Sequence, residues 1–137
     1  MHSFGLEKAV HFKGRVTSDA LLESNFLGAD ILVLPSLEER QGKVLVEAMA
    51  RRIPVVASSI GGIPSIISHG QNGLLFDPSS VEELVDSIKA LIFNRELRSR
   101  LIEKGNDFAR SNTLEAGVEK LIKIVREHYF SEENVSR

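Results

Sequence analysis

The chain is expected to fold as an α/β domain around a parallel sheet, and three observations in its 137 residues point there. Two short runs, Ile31–Leu34 and Val55–Ala57, are apolar at every position and lack the alternation of a strand with one wet face. A strand covered on both faces by helices produces that pattern. Segments of helical periodicity separate the runs, the order that gives a doubly wound sheet. Three amphipathic stretches then follow between Val81 and Tyr129, making the C-terminal segment helical.

The elements read in order as follows. Val10–Phe12 is a short strand ending at Gly14, and Leu21, Leu22, Asn25 and Phe26 recur at helical spacing from Ser18 to about Leu27. Asp30–Ser36 is a continuous apolar strand stopped by Pro35, and Gly42–Ala50 is a helix. Pro54–Ser58 is the next strand. Gly61-Gly62-Ile63-Pro64 is a turn with proline at the first helical position, opening a short helix to about His69. Gln71-Asn72-Gly73 turns the chain into the strand Leu74–Phe76. Ser80 followed by Glu83 predicts a capping box for a helix carrying Val81, Leu84, Val85, Ile88, Leu91 and Ile92. A second helix from Arg95 to Arg110 turns Leu97, Leu101, Ile102 and Phe108 inward. A third, from about Leu114, sets Val118, Leu121, Ile122, Val125 and Tyr129 on one stripe. The organised region is expected to span 1–130, with 131–137 a frayed polar tail.

Composition excludes several classes of function. A chain of this mass can bury roughly 68–70% of its unfolded surface, enough for a core without a covalent staple. With 17 Lys+Arg against 19 Asp+Glu, no basic clamp for nucleic acid is expected. The absence of cysteine rules out disulfides, thiolate zinc sites and a cysteine nucleophile. His2, His11, His69 and His128 are scattered, so no metal site is expected. Ser36, Ser58 and Ser59 lack a His–Asp partner pattern. Neither a membrane-spanning run nor a signal-peptide pattern is present, so the expectation is a cytoplasmic chain. Arg95, Arg98, Arg100, Lys104 and Arg110 read as a solvated helix face, or as a peripheral contact with anionic lipid at the inner face of a membrane.

Ligands of parallel sheets sit at the carboxyl ends of the strands, which directs attention to the segments after Phe12, Leu34 and Ala57. Glu47 is the one charge inside the helical run Val44–Ala50. A carboxylate there is costly to bury unless hydrogen-bonded, and a ribose diol would supply two donors. Lys43 follows Gly42 at the start of that helix, where a cation opposes the helix dipole. An anion held by the bare N–H groups would offset the opposition. A solvent-facing Glu47 and an ordinary surface Lys43 fit the same residues. After Ala57, Gly61-Gly62 either cradles a ligand or makes a tight turn.

Taken together the pattern is more specific. Glu39 and Glu47 are separated by seven intervening residues, Gly42 among them. Around them, in order, come Ala29–Ser36, Ala48-Met49-Ala50, Pro54–Ser58, Gly61-Gly62 and Asn72-Gly73-Leu74-Leu75, with Val10–Gly14 upstream. This resembles the donor-binding C-terminal half of a family 4 retaining glycosyltransferase of the GT-B fold, whose sheet is Rossmann-like. The resemblance runs from about Leu6 to Tyr129. It implies that Glu39 lies beside the donor sugar as the catalytic position. Gly42, Lys43 and Val44 would meet the sugar and diphosphate, and Glu47 would hold the ribose hydroxyls. Gly14, Arg15 and Val16 would sit by the base, and Gly61 and Gly62 would line the floor of the cleft. The substrate would be a nucleotide-sugar, with no metal or other cofactor at the diphosphate.

The chain also departs from that family. Gln41 precedes the glycine where an aromatic or small residue is usual. Arg52 replaces a glycine that ends the helix in a left-handed turn, a strain of roughly 1 kcal/mol. Gly61-Gly62-Ile63-Pro64-Ser65 lacks the family's acid at Ser65. The family's first strands, with their basic residues, and its acceptor-binding half are absent. The domain is therefore expected to be incomplete at its start, exposing an apolar sheet edge that an N-terminal acceptor domain, a partner chain or a second copy would cover. The isolated chain is expected to be inactive, and a catalytically inert nucleotide-binding fragment or subunit is the alternative.

Overall fold

Val55 and Ala57 turn to one face of a sheet and Val56 to the other, and all three are fully buried. That two-sided burial is the cause of the unbroken apolar run, and it sets the architecture. The structure is a computed structural model describing residues 5–16 and 19–129. Its elements are α1 (Asp19–Leu27), β1 (Leu32–Leu34), α2 (Lys43–Ala50), β2 (Val55–Ser58), a 3-10 turn (Ile63–Ser65), β3 (Leu74–Phe76), α3 (Val81–Phe93), α4 (Arg95–Ser111) and α5 (Leu114–Tyr129). The sheet is parallel in the order β1-β2-β3, with Val33 opposite Val56 and Ala57 opposite Leu75. The α/β class and the Rossmann-like layering are as the sequence predicts.

On one face Leu45, Ala48 and Met49 of α2 pack with Phe26, Val55, Ala57, Ile63, Ile67 and Ala109. On the other, Val56, Leu74, Phe76, Leu91 and Leu101 form a second cluster. Helix α4 serves both, with Leu101 in one and Ala109 in the other. Its Gly105 lets it come close to α2, since a Cβ there would lie 3.2 Å from Met49 Cγ. Next to it, buried Asn106 donates from Nδ2 to the carbonyls of Met49 (3.2 Å) and Ala50 (3.1 Å). Those are carbonyls of α2's last turn, where Met49 O also accepts from Arg52 N at 3.0 Å.

The polar signals are realised in part. Ser80 Oγ accepts from Glu83 N at 3.2 Å, as a capping box requires. The Glu83 carboxylate, however, takes Asp77 N at 2.7 Å. The helix expected up to His69 ends at Ser65. Asn72 explains the stop: its Oδ1 accepts from Ser68 N (2.8 Å) and its Nδ2 donates to Ile66 O (2.9 Å). These side-chain bonds take the place of further helical ones.

Two expectations need correction. Val10–Phe12 forms no strand, and Phe12 is 91% exposed. A strand exists only as a paired strand, and among the described residues nothing pairs with this segment. The stripe Val118, Leu121, Ile122 and Val125 on α5 faces solvent rather than the core. Periodicity dictates an amphipathic helix, but the described residues place no element over that face. Glu47, for which the sequence left a solvent-facing position open, is exposed and carries no burial cost in this chain. The tail 131–137 and the helix start at Ser18 lie outside the described residues.

Arg52 has φ 62°, the one left-handed non-glycine among the described residues. The strain read from the sequence is therefore present in the backbone. Arg52→Gly should raise unfolding stability by about 1 kcal/mol, seen as a higher urea midpoint at unchanged slope. An unchanged midpoint would show that Arg52 makes compensating interactions.

Candidate functional site

Pro35 ends the apolar run after β1, and the chain from there to α2 has no ladder to satisfy its backbone. The turn at Gly61-Gly62 supplies what is missing. Gly62 N donates to Glu39 O at 3.1 Å. The approach is so close that a Cβ on Gly61 would lie 1.9 Å from Glu39 O, and one on Gly62 2.4 Å from Arg40 O. Gly61 also has φ 56°. The glycine pair thus serves backbone-on-backbone packing. Ser58, fully buried at the end of β2, reinforces the same region by donating from Oγ to Ser36 O at 2.6 Å.

Held by this contact, Glu39 folds its side chain back onto the entry of α2. Its Oε1 accepts from Gln41 N (3.0 Å) and Gly42 N (3.1 Å). Hydrogen bonds from the Gly42 amide first, then from those of Gln41 and Arg40, hold the carboxyl below its ordinary range. Gly42 is the N-cap of α2, with φ 54° and ψ 29°, a left-handed conformation that favours glycine. It has no room for a side chain either, since a Cβ would meet Ile66 Cδ1 at 3.0 Å.

Beyond Gly42, the amides of Lys43 and Val44 have no hydrogen-bond partner among the described residues. Lys43 and Glu47 are both exposed and stand four residues apart, hence on one face of α2 about 6 Å apart along its axis. Arg51 continues that line, but α1 engages it. Its Nε donates to Glu23 Oε2 at 3.1 Å, its Nη2 pairs with Glu23 Oε1, and its guanidinium stacks 4.6 Å from the Phe26 ring centre. Arg51 Nη1 also donates to Glu47 O at 2.9 Å. Arg51 therefore locks α1 against α2 and is not open charge for an anion.

The structure brings together Glu39, Gly42, Lys43, Val44, Glu47, Gly61 and Gly62. Gly14, Arg15 and Val16 stay apart: among the described residues no hydrogen bond or ion pair joins 11–16 to the sheet or to α2. A shallow cavity of about 410 Å³ lies at the carboxyl ends of β2 and β3, lined by Ser59, His69, Leu75, Phe76, Asp77, Pro78 and Glu83. None of the sequence-derived site residues lines it. Its polar groups are largely engaged: His69 Nδ1 accepts from Leu75 N at 2.9 Å, and Asp77 Oδ1 accepts from Ser79 N and Oγ. No group of three His, Asp or Glu among the described residues is arranged to hold a metal ion.

Residues 1–108 match the family described as Glycosyl transferases group 1. Sulfoquinovosyl transferase SQD2 of Arabidopsis thaliana is 40% identical over 90 residues, covering 64% of this chain and 18% of that protein. Among solved structures, the C-terminal domain of a glycosyl transferase group 1 family protein (LpcC) from Francisella tularensis aligns with TM-score 0.71 and 31% identity. That alignment covers 79% of this chain and 55% of the other. Anabaena Alr3699/HepE, solved in complex with UDP-glucose, aligns with TM-score 0.76 and 27% identity over 90% of this chain and 33% of that one. Curated relatives are matched over only 18% to 34% of their length. The chain belongs to the group 1 glycosyltransferase family, and its fold is that of GT-B C-terminal domains.

Two outcomes follow from the geometry. Gly61→Ala should unfold the Glu39 loop, because an added methyl would lie inside the Glu39 carbonyl. Lost amide-exchange protection at Gly42 and Gly62 would report it, and retained protection would refute the packing role. Glu39, Glu23 and Asp77 all have lowered folded-state pKa values, from the Gly42 amide, Arg51 and Ser79 respectively. Their contribution is present above the unfolded carboxylate range and is lost as pH falls through the folded values. Glu39→Gln should therefore lower the urea midpoint at neutral pH, and the difference should close in acid. A gap that persists in acid would mean the carboxylate's charge is not what matters.

Proposed function

We propose that this chain is the donor-binding portion of a glycosyltransferase that uses a nucleoside-diphosphate sugar. One observation carries the reading. The start of α2 presents two unpartnered amides and Lys43, with the pinned carboxylate of Glu39 on one side and the exposed carboxylate of Glu47 one turn further along. Amides at a helix N-terminus and a lysine suit a diphosphate. A carboxylate with an unused oxygen suits sugar hydroxyls, and Glu39 Oε2 and Glu47 both qualify.

The donor would lie along α2. Its sugar would sit against Glu39, its diphosphate over the amides of Lys43 and Val44, and its ribose diol on Glu47. Glu39 already occupies the Gln41 and Gly42 amides, so the diphosphate falls to the next two residues. Gly61 and Gly62 shape the floor indirectly, through the Glu39–Arg40 backbone. Gly14, Arg15 and Val16 would close over the base once a nucleotide is present to order against. A relative of similar fold was solved with UDP-glucose, which makes UDP-sugars the first donors to test.

In the transfer, the bond from the sugar's anomeric carbon to the diphosphate oxygen breaks, and a bond to an acceptor hydroxyl oxygen forms. The acceptor proton leaves with the departing diphosphate, and configuration is retained. The negative charge developing on the diphosphate is met by the α2 amides and Lys43, with no metal required at that position. The acceptor site is assigned to another part of a longer protein or to a partner chain, which would also pair with the open edge of β1. The 137-residue chain alone should therefore bind donor without turning it over.

Titration calorimetry with UDP, GDP and ADP tests the site. Glu47→Ala should weaken nucleotide binding about tenfold or more, the scale of losing hydrogen bonds to a charged group, with the thermal midpoint little changed. Failure of all three nucleotides to bind at millimolar concentration, or wild-type affinity in Glu47→Ala, would remove this reading. Sugar transfer by the purified chain would overturn its dependence on a second part.

A further inference from the structure

Asn94 alone forms the corner between α3 and α4. The last two residues of α3 are Ile92 and Phe93, and they are 51% and 82% exposed. A phenylalanine so exposed at a helix tip has no packing role. Val81 and Val85 extend the same exposed line along α3 toward Ile92. The first two turns of α4 carry Arg95, Arg98 and Arg100 against one acid, Glu96. No carboxylate pairs with any of the three arginines among the described residues. Arg98 donates to Leu91 O at 3.4 Å, while Arg95 and Arg100 are exposed. Leu91 O lies in the last turn of α3, so Arg98 answers the negative end of that helix. Arg95 and Arg100 oppose the dipole of α4, and α4 stability does not account for them.

We infer that this corner is a docking surface for an anionic lipid bilayer, with Phe93 and Ile92 entering the interface and the exposed Arg95 and Arg100 meeting the headgroups. The charge pattern chooses the occupant and the orientation. The N-terminal half of α3 carries Glu82, Glu83 and Asp86, which keep that end off an anionic surface, whereas Lys89 and the arginines surround the apolar tip. The other exposed apolar stripe, on α5, lies among charges of both signs, with Lys123 and Glu127 paired at 3.9 Å. It lacks the bias that would direct it to an anionic surface. Apolar side chains flanked by arginine are the combination that lodges at a bilayer interface. No helix among the described residues is long and apolar enough to cross a membrane, so the contact would be peripheral.

Flotation of the full chain with vesicles tests this. Vesicles of phosphatidylcholine mixed with phosphatidylglycerol should bind it, phosphatidylcholine alone should bind far less, and high salt should release it. Each basic residue near an anionic surface changes partitioning by roughly fivefold, so Arg95→Glu with Arg100→Glu should lower it about a hundredfold or more. These changes suit the α4 dipole, so lost binding would not reflect lost folding. Ile92→Ser with Phe93→Ser should lower binding about tenfold. Leu121→Ser with Val125→Ser, on α5, should leave it unchanged. The proposal is overturned if mixed vesicles fail to bind, if neutral vesicles bind equally, or if the α5 variant loses binding while the corner variants keep it. Tight binding to soluble heparin without binding to vesicles would likewise replace it with a polyanion site.

Discussion

The contact on which the site depends is the apposition of Gly61-Gly62 to the backbone of Glu39 and Arg40. With a Cβ on Gly61 only 1.9 Å from a carbonyl oxygen, any other residue would push the two segments apart. What would be lost is more than one hydrogen bond. The fixed Glu39 backbone lets its side chain reach Gln41 N and Gly42 N, and those bonds fix the entry of α2. Lys43 and Glu47 then take their places on one face of that helix. A two-glycine turn after β2 thus sets the positions of charged groups after β1.

Helix α2 needs such support because it is only eight residues long. An isolated helix of that length does not persist in water. Its first turn is held by Glu39 and the left-handed Gly42, and its last turn by Asn106 from α4. Arg51, at its C-cap, is anchored by Glu23 and Phe26 of α1. Leu45, Ala48 and Met49 bury the inner face. The outer face, with Lys43 and Glu47, is left unencumbered by the same arrangement that makes the helix rigid. A site built this way does not have to order its backbone when a ligand arrives.

How legible this was in the sequence varied with the range of the interaction. The strand at Val55–Ser58 was readable because two-sided burial leaves an unbroken apolar run, and Leu32–Leu34 shares that run although it is only half-buried at the sheet edge. Arg52 was readable only through the family resemblance, whose pattern places a helix-ending glycine at that position. The Ser80 cap was readable because it is local. Asn106 was missed, although a polar residue between Gly105 and Phe108 on the inward side of a helix was a usable signal. The spacing of Val118, Leu121, Ile122 and Val125 showed an apolar face but not what covers it. Whether Glu47 is buried or faces solvent was open in the sequence, because its neighbours in sequence are apolar whereas its neighbours on the helix surface are Lys43 and Arg51. The Gly61–Glu39 contact joins segments 22 residues apart, and no local pattern reports it.

A net charge of −2 conceals the way this chain uses charge, which becomes visible when the starts of its helices are compared. Helix α3 begins with Glu82 and Glu83 and the Ser80 cap, so its dipole is answered locally. Helix α2 has no acid in its first turn, and its positive end is answered in part by Glu39 from the preceding loop. Two amides and a lysine are left over there. Helix α4 has the Asn94 cap and Glu96, and Arg98 serves the C-terminal end of α3 through Leu91 O, but Arg95 and Arg100 add to the α4 dipole rather than answer it. Compensation is thus complete at α3 and partial at α2 and α4. Fold stability alone would favour the α3 arrangement at every start. Where the chain departs from it, the uncompensated positive potential stands beside groups that stability does not require: the exposed carboxylate of Glu47 at α2 and the exposed ring of Phe93 at α4.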